Sequence, residues 1–288
     1  VRVPIVFFII FGAVVVFLPW TVLAIKSKDI KYVHDMLVRN LISINSNTGE
    51  SVEYSEGYLN EHQSYFEDFE KLSCNKNGLA KNKNVILVVI ESLSSYHSKK
   101  LSGLNDWTPH LDKLSDQYMS FDNFFANNFN SGTGRLALIN GEKTFRDVAG
   151  TLHQARRGYR NSQRNLAKLF NRQGYHTAFL DGADLNFSKT GNYMRDIGFQ
   201  YVEGQESPFY DGEERYSFKS VSDDVLYNRV LDYNKNAQQP YFETIITVTT
   251  HQPYTDPISN ERNIEKAVKF ADQALYDFYV KLDAEGFF

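Results

Sequence analysis

The stretch NVILVVIES, residues 84–92, decides the fold. From Val85 to Ile90 it is a continuous run of β-branched residues and leucine with no polar break, and it ends in an acid, Glu91. A strand with one wet face alternates polar and apolar residues, whereas a strand covered on both faces does not. The run therefore predicts a fully buried strand of a parallel sheet, with Glu91 at its carboxyl end.

Downstream, helix and strand patterns alternate. Thr108-Pro109 opens a helix with Leu111, Leu114 and Tyr118 on one face, Thr108 in the capping place. NLAKLFNRQG (165–174) reads as a helix stopped by Gly174, and YHTAFL (175–180) as a strand closing on Asp181-Gly182. SVSDDVLYNRVLDY (220–233) starts at a Ser/Asp cap with acids in its first turn. YFETIITVTT (241–250) is a second buried strand, ending at His251. In the last helix Ile264, Val268, Ala271, Leu275, Phe278 and Leu282 fall on one face. The sum is an α/β domain over 81–288 with a doubly wound, mostly parallel sheet.

Upstream the chain has a different character. From Val3 to Ile25 it carries no charge over 23 residues. As a helix that is roughly 35 Å, enough for the ~30 Å hydrocarbon layer, so 1–25 reads as a transmembrane helix. A cleaved signal peptide fits less well, since its apolar stretch is shorter and a small-residue cleavage site should come after it. Residues 26–80 read as a juxtamembrane helix (31–44) and a polar linker ending in NKNGLAKNKN. Lys26, Lys28 and Lys31 against Arg2 would by themselves put the domain at 81–288 on the cytoplasmic side.

Composition narrows the function. Of the 288 residues 42% are hydrophobic and 23% charged, as in a folded protein. A net charge of −4 gives no electrostatic case for nucleic acid, and the single cysteine excludes an internal disulfide or a cysteine-based metal site. In an α/β sheet ligands gather beyond the carboxyl ends of the strands, where Glu91, Asp181 and His251 fall. Taken singly, each also reads as a loop or capping residue. NNFNSGTGRLALINGE (127–142) poses the sharper choice. Thr133, between Gly132 and Gly134 at a helix start, is either the helix cap or a hydroxyl placed to attack an anionic group.

Taken together, ILVVIESLSSYH (86–97), TPHLDKLSDQYMSFDNFFANNFNSGTGR (108–135), GYHTAFLDGADLNF (174–187), MRDIGF, SVSDD and TVTTHQPY resemble, in this order, the sulfatase-like alkaline phosphatase superfamily. The form with Glu after the strand and Thr as nucleophile is most similar to the branch of lipoteichoic acid synthases and phosphoglycerol transferases. The resemblance covers residues 84–288, and the apolar segment before it agrees with the family's membrane anchor. It implies a strand at F-x-NF (121–124), Glu91 as a ligand of a divalent cation (Mn²⁺ first, Mg²⁺ or Zn²⁺ otherwise), and Thr133 as both metal ligand and nucleophile forming a phospho-threonine. It implies His251 at the substrate phosphate, with Asp181 also on the substrate side. Arg135, two residues past Thr133, could pair with a phosphate on charge alone.

The implied reaction takes a phosphoglycerol-type group from a phosphatidylglycerol-like lipid to a surface glycan or polymer, on the outer face of the cell membrane. There are departures. Asp181 stands where those synthases have His, Ala183 where they have an acid, and Ser188 and Thr190 where they have Trp and Arg. The family's Asp-His metal pair, on a strand after the last helix, has no counterpart here, so the chain is expected to be C-terminally truncated and inactive as it stands. A sulfatase or phosphatase of the same superfamily is an alternative, although Thr133 cannot become the formylglycine that sulfatases use. A catalytically dead glycan-binding relative is another.

Overall fold

The computed structural model describes residues 82–121, 124–126, 130–141 and 165–288. Its strands are β1 (Val85–Val89), β2 (His176–Asp181), β3 (Tyr201–Glu203) and β4 (Tyr241–Ile246). They form a sheet in the order β1-β4-β2-β3, and each neighbouring pair is parallel. Parallel neighbours cannot be joined by tight turns, so the chain crosses over through helices. Between β1 and β2 come α1 (Pro109–Gln117), α2 (Ser131–Asn140) and α3 (Leu166–Arg172). The helix α4 (Thr190–Asp196) precedes β3, α5 (Asp223–Asn234) precedes β4, and α6 (Ile264–Ala284) comes after it.

The period of two along β4 sends its side chains to opposite layers. Phe242 and Ile246 pack with Leu136 and Ile139 of α2, Ala167 of α3, and Tyr193 and Met194 of α4. Ile245 packs on the other side with Leu226 and Val230 of α5 and Phe278 and Leu282 of α6. Helices on both faces of a parallel sheet make the doubly wound arrangement that the sequence predicts.

Several details differ from the sequence reading. The β1 residues are half-buried and not fully buried, because among the described residues β1 lies at the edge of the sheet with β4 as its one neighbour. β4 ends at Ile246, four residues early, since both partners end there: Val89 and Asp181 each register with Ile246. The short β3 carries no periodic pattern and is not among the predicted strands. No strand forms among the described residues of 118–126, where Phe121, Phe124 and Phe125 are exposed. Thr108 precedes α1 but does not cap it. Its buried hydroxyl has no partner among the described residues, and the cap comes instead from Asp272 of α6, whose carboxylate accepts from the backbone N–H of His110 (3.0 Å) and Leu111 (2.8 Å). The apolar segment at 1–25 and the helix at 31–44 lie outside the described residues, among which no helix is long and apolar enough to cross a membrane.

Candidate active site

The shared register row of Val89, Ile246 and Asp181 sets the ends of β1, β4 and β2 side by side. Glu91 and the segment 247–251 continue from that row, so side chains distant in sequence meet at one rim. The segment after β4 is fastened from two sides. The Glu91 N–H donates to Thr247 Oγ1 (3.1 Å), and the Thr250 hydroxyl donates to the Glu91 carbonyl. Opposite, Asp223 Oδ1 accepts from the N–H of Val248 (3.0 Å) and Thr249 (2.9 Å), and the Asp223 N–H donates to Thr249 Oγ1 (3.0 Å). Burial holds the Asp223 carboxyl above the usual carboxylate range against the pull of these donors. By sequence Asp223 is only a residue of a helix first turn, a place it does occupy, with no side-chain cap from Ser222.

Thr133 is not the cap of α2. Asn130 is, its Oδ1 accepting from the Thr133 N–H at 2.9 Å. Thr133 is thus the third helical residue, half-buried, with its hydroxyl donating to the same Asn130 oxygen at 3.0 Å. A Cβ at Gly134 would meet nothing within 4 Å, so the turn is open on that side. The hydroxyl that meets Glu91 belongs to Ser131, at 2.6 and 2.9 Å from the two carboxylate oxygens. Sequence reasoning misses Ser131. Ser92 adds a second hydroxyl on the Glu91 carboxylate at 2.9 Å, from a left-handed backbone (φ 50°) unusual for a non-glycine residue.

Arg135 Nε donates to the Ser131 carbonyl (3.1 Å), and its guanidinium lies 3.5 Å from Asp181 Oδ2. Asp181 is only 4% exposed and also accepts from the Ala183 N–H at 3.1 Å. Burial pushes its carboxyl up to about 6; Arg135 and the Ala183 N–H pull it down, while Glu91 and Asp223 add to the rise. The structure therefore sets Asp181 beneath Arg135, closed off from solvent. His251 is half-buried, its Nδ1 2.7 Å from the Gln252 carbonyl, which fixes the proton there and leaves Nε2 for a ligand. Its ring meets Phe218 edge-on, with centroids 4.7 Å apart.

One connected set thus runs Glu91, Ser131, Arg135, Asp181, with Thr133 in the same turn of α2 as Ser131. His251 stands on the segment tied to the Glu91 backbone, and among the described residues no hydrogen bond or ion pair joins its ring to Glu91, Ser131, Arg135 or Asp181. Among the described residues no group of three or more His, Cys, Asp or Glu could hold a metal ion. Glu91 with the hydroxyls near it is a set of hard oxygen donors, the kind Mg²⁺ or Mn²⁺ takes, but one carboxylate is too few to hold such an ion.

A sulfatase family model matches residues 83–286. A lipoteichoic acid synthase of Staphylococcus saprophyticus subsp. saprophyticus is 23% identical over 228 residues, 73% of this chain and 35% of that protein. The chain thus spans about a third of the length of the curated relatives it matches. A protein of the alkaline phosphatase superfamily from Vibrio parahaemolyticus superposes with a TM-score of 0.61 at 27% identity, over 71% of this chain and 51% of that one. The lipoteichoic acid synthase LtaP from Listeria monocytogenes shares the fold, with a TM-score of 0.61 at 24% identity over 78% of this chain and 59% of that one. With the family model covering the whole sheet and its helices, the chain belongs to the sulfatase family, within the alkaline phosphatase superfamily.

Proposed function

We propose that residues 81–288 are the catalytic part of a transferase anchored by a membrane helix at 1–25 through the linker 26–80. It moves a phosphoglycerol-type group from a phosphatidylglycerol-like lipid to a surface glycan or polymer, on the outer face of the membrane. The observation that carries this reading is the division of labour at α2. Asn130 takes the capping, so Thr133 stands in the first turn of the helix free of that duty, in the same turn as the Ser131–Glu91 contact.

In the first step Thr133 Oγ gives up its proton and bonds to the phosphorus, and the bond from phosphorus to the diacylglycerol oxygen breaks. That oxygen leaves as an alcohol, taking up a proton. In the second, an acceptor hydroxyl gives up its proton, its oxygen bonds to the same phosphorus, the Thr133 Oγ–phosphorus bond breaks, and Thr133 takes up a proton to become a hydroxyl again. Of the first N–H groups of α2, that of Thr133 is taken by Asn130, and those of Ser131 and Gly132 would serve the anion. Arg135, held between the Ser131 carbonyl and Asp181, adds a fixed positive charge. His251 Nε2 meets the phosphate or the leaving oxygen.

A threonine hydroxyl is a weak nucleophile at neutral pH, and a divalent cation, Mn²⁺ before Mg²⁺ or Zn²⁺, would lower its pKa and offset phosphate charge. Glu91 and Thr133 would be its ligands in this chain, completed by the Asp-His pair that the resemblance implies. Turnover of phosphatidylglycerol to diacylglycerol by the chain within its full-length protein tests the reading. Thr133→Ala should lose it by about 10³-fold or more, while Ser131→Ala keeps a measurable rate. Full turnover by Thr133→Ala would overturn it.

A further inference from the structure

Three aromatic rings lead outward from the candidate site. His251 meets Phe218 edge-on at 4.7 Å, and Phe218 meets Phe187 at 4.8 Å with the planes 46° apart. Phe187 is 56% exposed, although a ring of that size at a loop end could have packed inward. The backbone is set to keep it there. Ser188, Lys189, Phe218 and Lys219 are all non-glycine residues in the left-handed region, with φ between 51° and 57°. Such conformations cost on the order of 1 kcal/mol each and gather where surrounding structure enforces them for a purpose. The two strained segments are bound to each other. The Asp184 N–H donates to the Phe218 carbonyl (2.9 Å), and Lys219 Nζ pairs with Asp184 (3.2 Å). The Ser217 hydroxyl, donating to the Gln252 carbonyl (3.2 Å), ties them to the segment that bears His251.

We propose that Phe187 and Phe218 form an acceptor subsite beside His251, taking the apolar face of a pyranose ring so that one ring hydroxyl is presented to the reacting phosphorus. This rests on the transferase reading above. The surroundings favour a sugar over an acyl chain. An acyl chain needs several contiguous apolar side chains, and here one exposed ring is bordered by Asn186, Lys189 and Lys219, all exposed and polar. A pyranose offers what this patch takes: a C–H face to lie on an aromatic ring and hydroxyls around its edge for the amide and ammonium groups.

The test is binding, measured by saturation-transfer NMR and titration on the full chain. The probes are methyl N-acetyl-β-D-glucosaminide as the sugar, sn-glycerol-1-phosphate as the headgroup, and dioctanoylglycerol micelles as the lipid. The sugar's ring protons should receive saturation. Phe187→Ala should weaken sugar binding about tenfold while leaving glycerol phosphate unchanged, and Phe187→Trp should restore it. The proposal is overturned if the sugar does not bind at tens of millimolar. It is also overturned if Phe187→Ala leaves sugar binding unchanged, weakens both small probes equally, or acts only on the micelles. If glycerol phosphate binds neither protein, the phosphoglycerol reading fails, while the sugar comparison still decides the subsite.

Discussion

At Thr133 and Asn130 two explanations of one motif part company. A capping threonine and a nucleophilic threonine both explain a Gly-Thr-Gly at a helix start, and the hydrogen bond from the Thr133 N–H to Asn130 decides against capping. Asn130→Ala should therefore cost about 1 kcal/mol in urea unfolding, as lost caps do. Thr133→Val should cost clearly less than that, yet remove turnover. The reverse order of stabilities would return Thr133 to a structural role. That Glu91 and Asp181 lie at strand ends and Arg135 near a helix start is legible, because such places can be read locally. Ser131 and Asp223 are not. A serine two residues ahead of the threonine looks like turn material, and an acid at a helix start looks like a dipole partner. What each does depends on a partner 40 or 25 residues away, Glu91 for the first and Val248 for the second.

The elements carry two further predictions. The amino end of α1 is capped from α6, so Asp272→Ala should cost about 1–3 kcal/mol by stranding two backbone N–H groups. Thr108→Val, which removes a buried hydroxyl without a partner among the described residues, should be neutral or stabilising. Urea midpoints of the two variants check both, and a larger loss at Thr108 would contradict the assignment. Within β4, Glu243 is fully buried, and among the described residues neither of its oxygens has a hydrogen bond of good geometry. Burial pushes its carboxyl up to about 8, with the nearby Asn234 amide opposing. The folded chain therefore keeps this proton where the unfolded chain releases it. The associated stability is complete below the unfolded value near 4.5 and is lost as the pH rises through about 8. Glu243→Gln has no proton to lose, so its advantage over the parent in thermal unfolding should grow between pH 5 and pH 8. An advantage that does not change with pH would contradict this. By sequence YFETIITVTT reads as a buried strand, yet its one acid is not singled out, since nothing local says whether Glu243 has a partner.

At the scale of the molecule, the alternation of buried strands and one-faced helices is enough to reach a doubly wound sheet, because a strand covered on both faces leaves an unbroken apolar run and a one-faced helix a periodic one. Strand order leaves none. That β4 lies between β1 and β2 cannot be read from NVILVVIES or YFETIITVTT, and it explains both the half-burial of β1 and the early end of β4. The same order brings Glu91, Asp181 and the His251 segment to one rim, so the site arises from topology as much as from motif.

The proposed mechanism turns on Thr133, and not the serine touching Glu91, as the residue that accepts the phosphoryl group. Peptide-level mass spectrometry of the chain in its full-length protein, incubated with phosphatidylglycerol and Mn²⁺ and quenched in acid, tests it most directly. The predicted result is a glycerophosphoryl adduct on Thr133 that is absent from Thr133→Ala. An adduct on Ser131, or diacylglycerol release that survives Thr133→Ala, would contradict it.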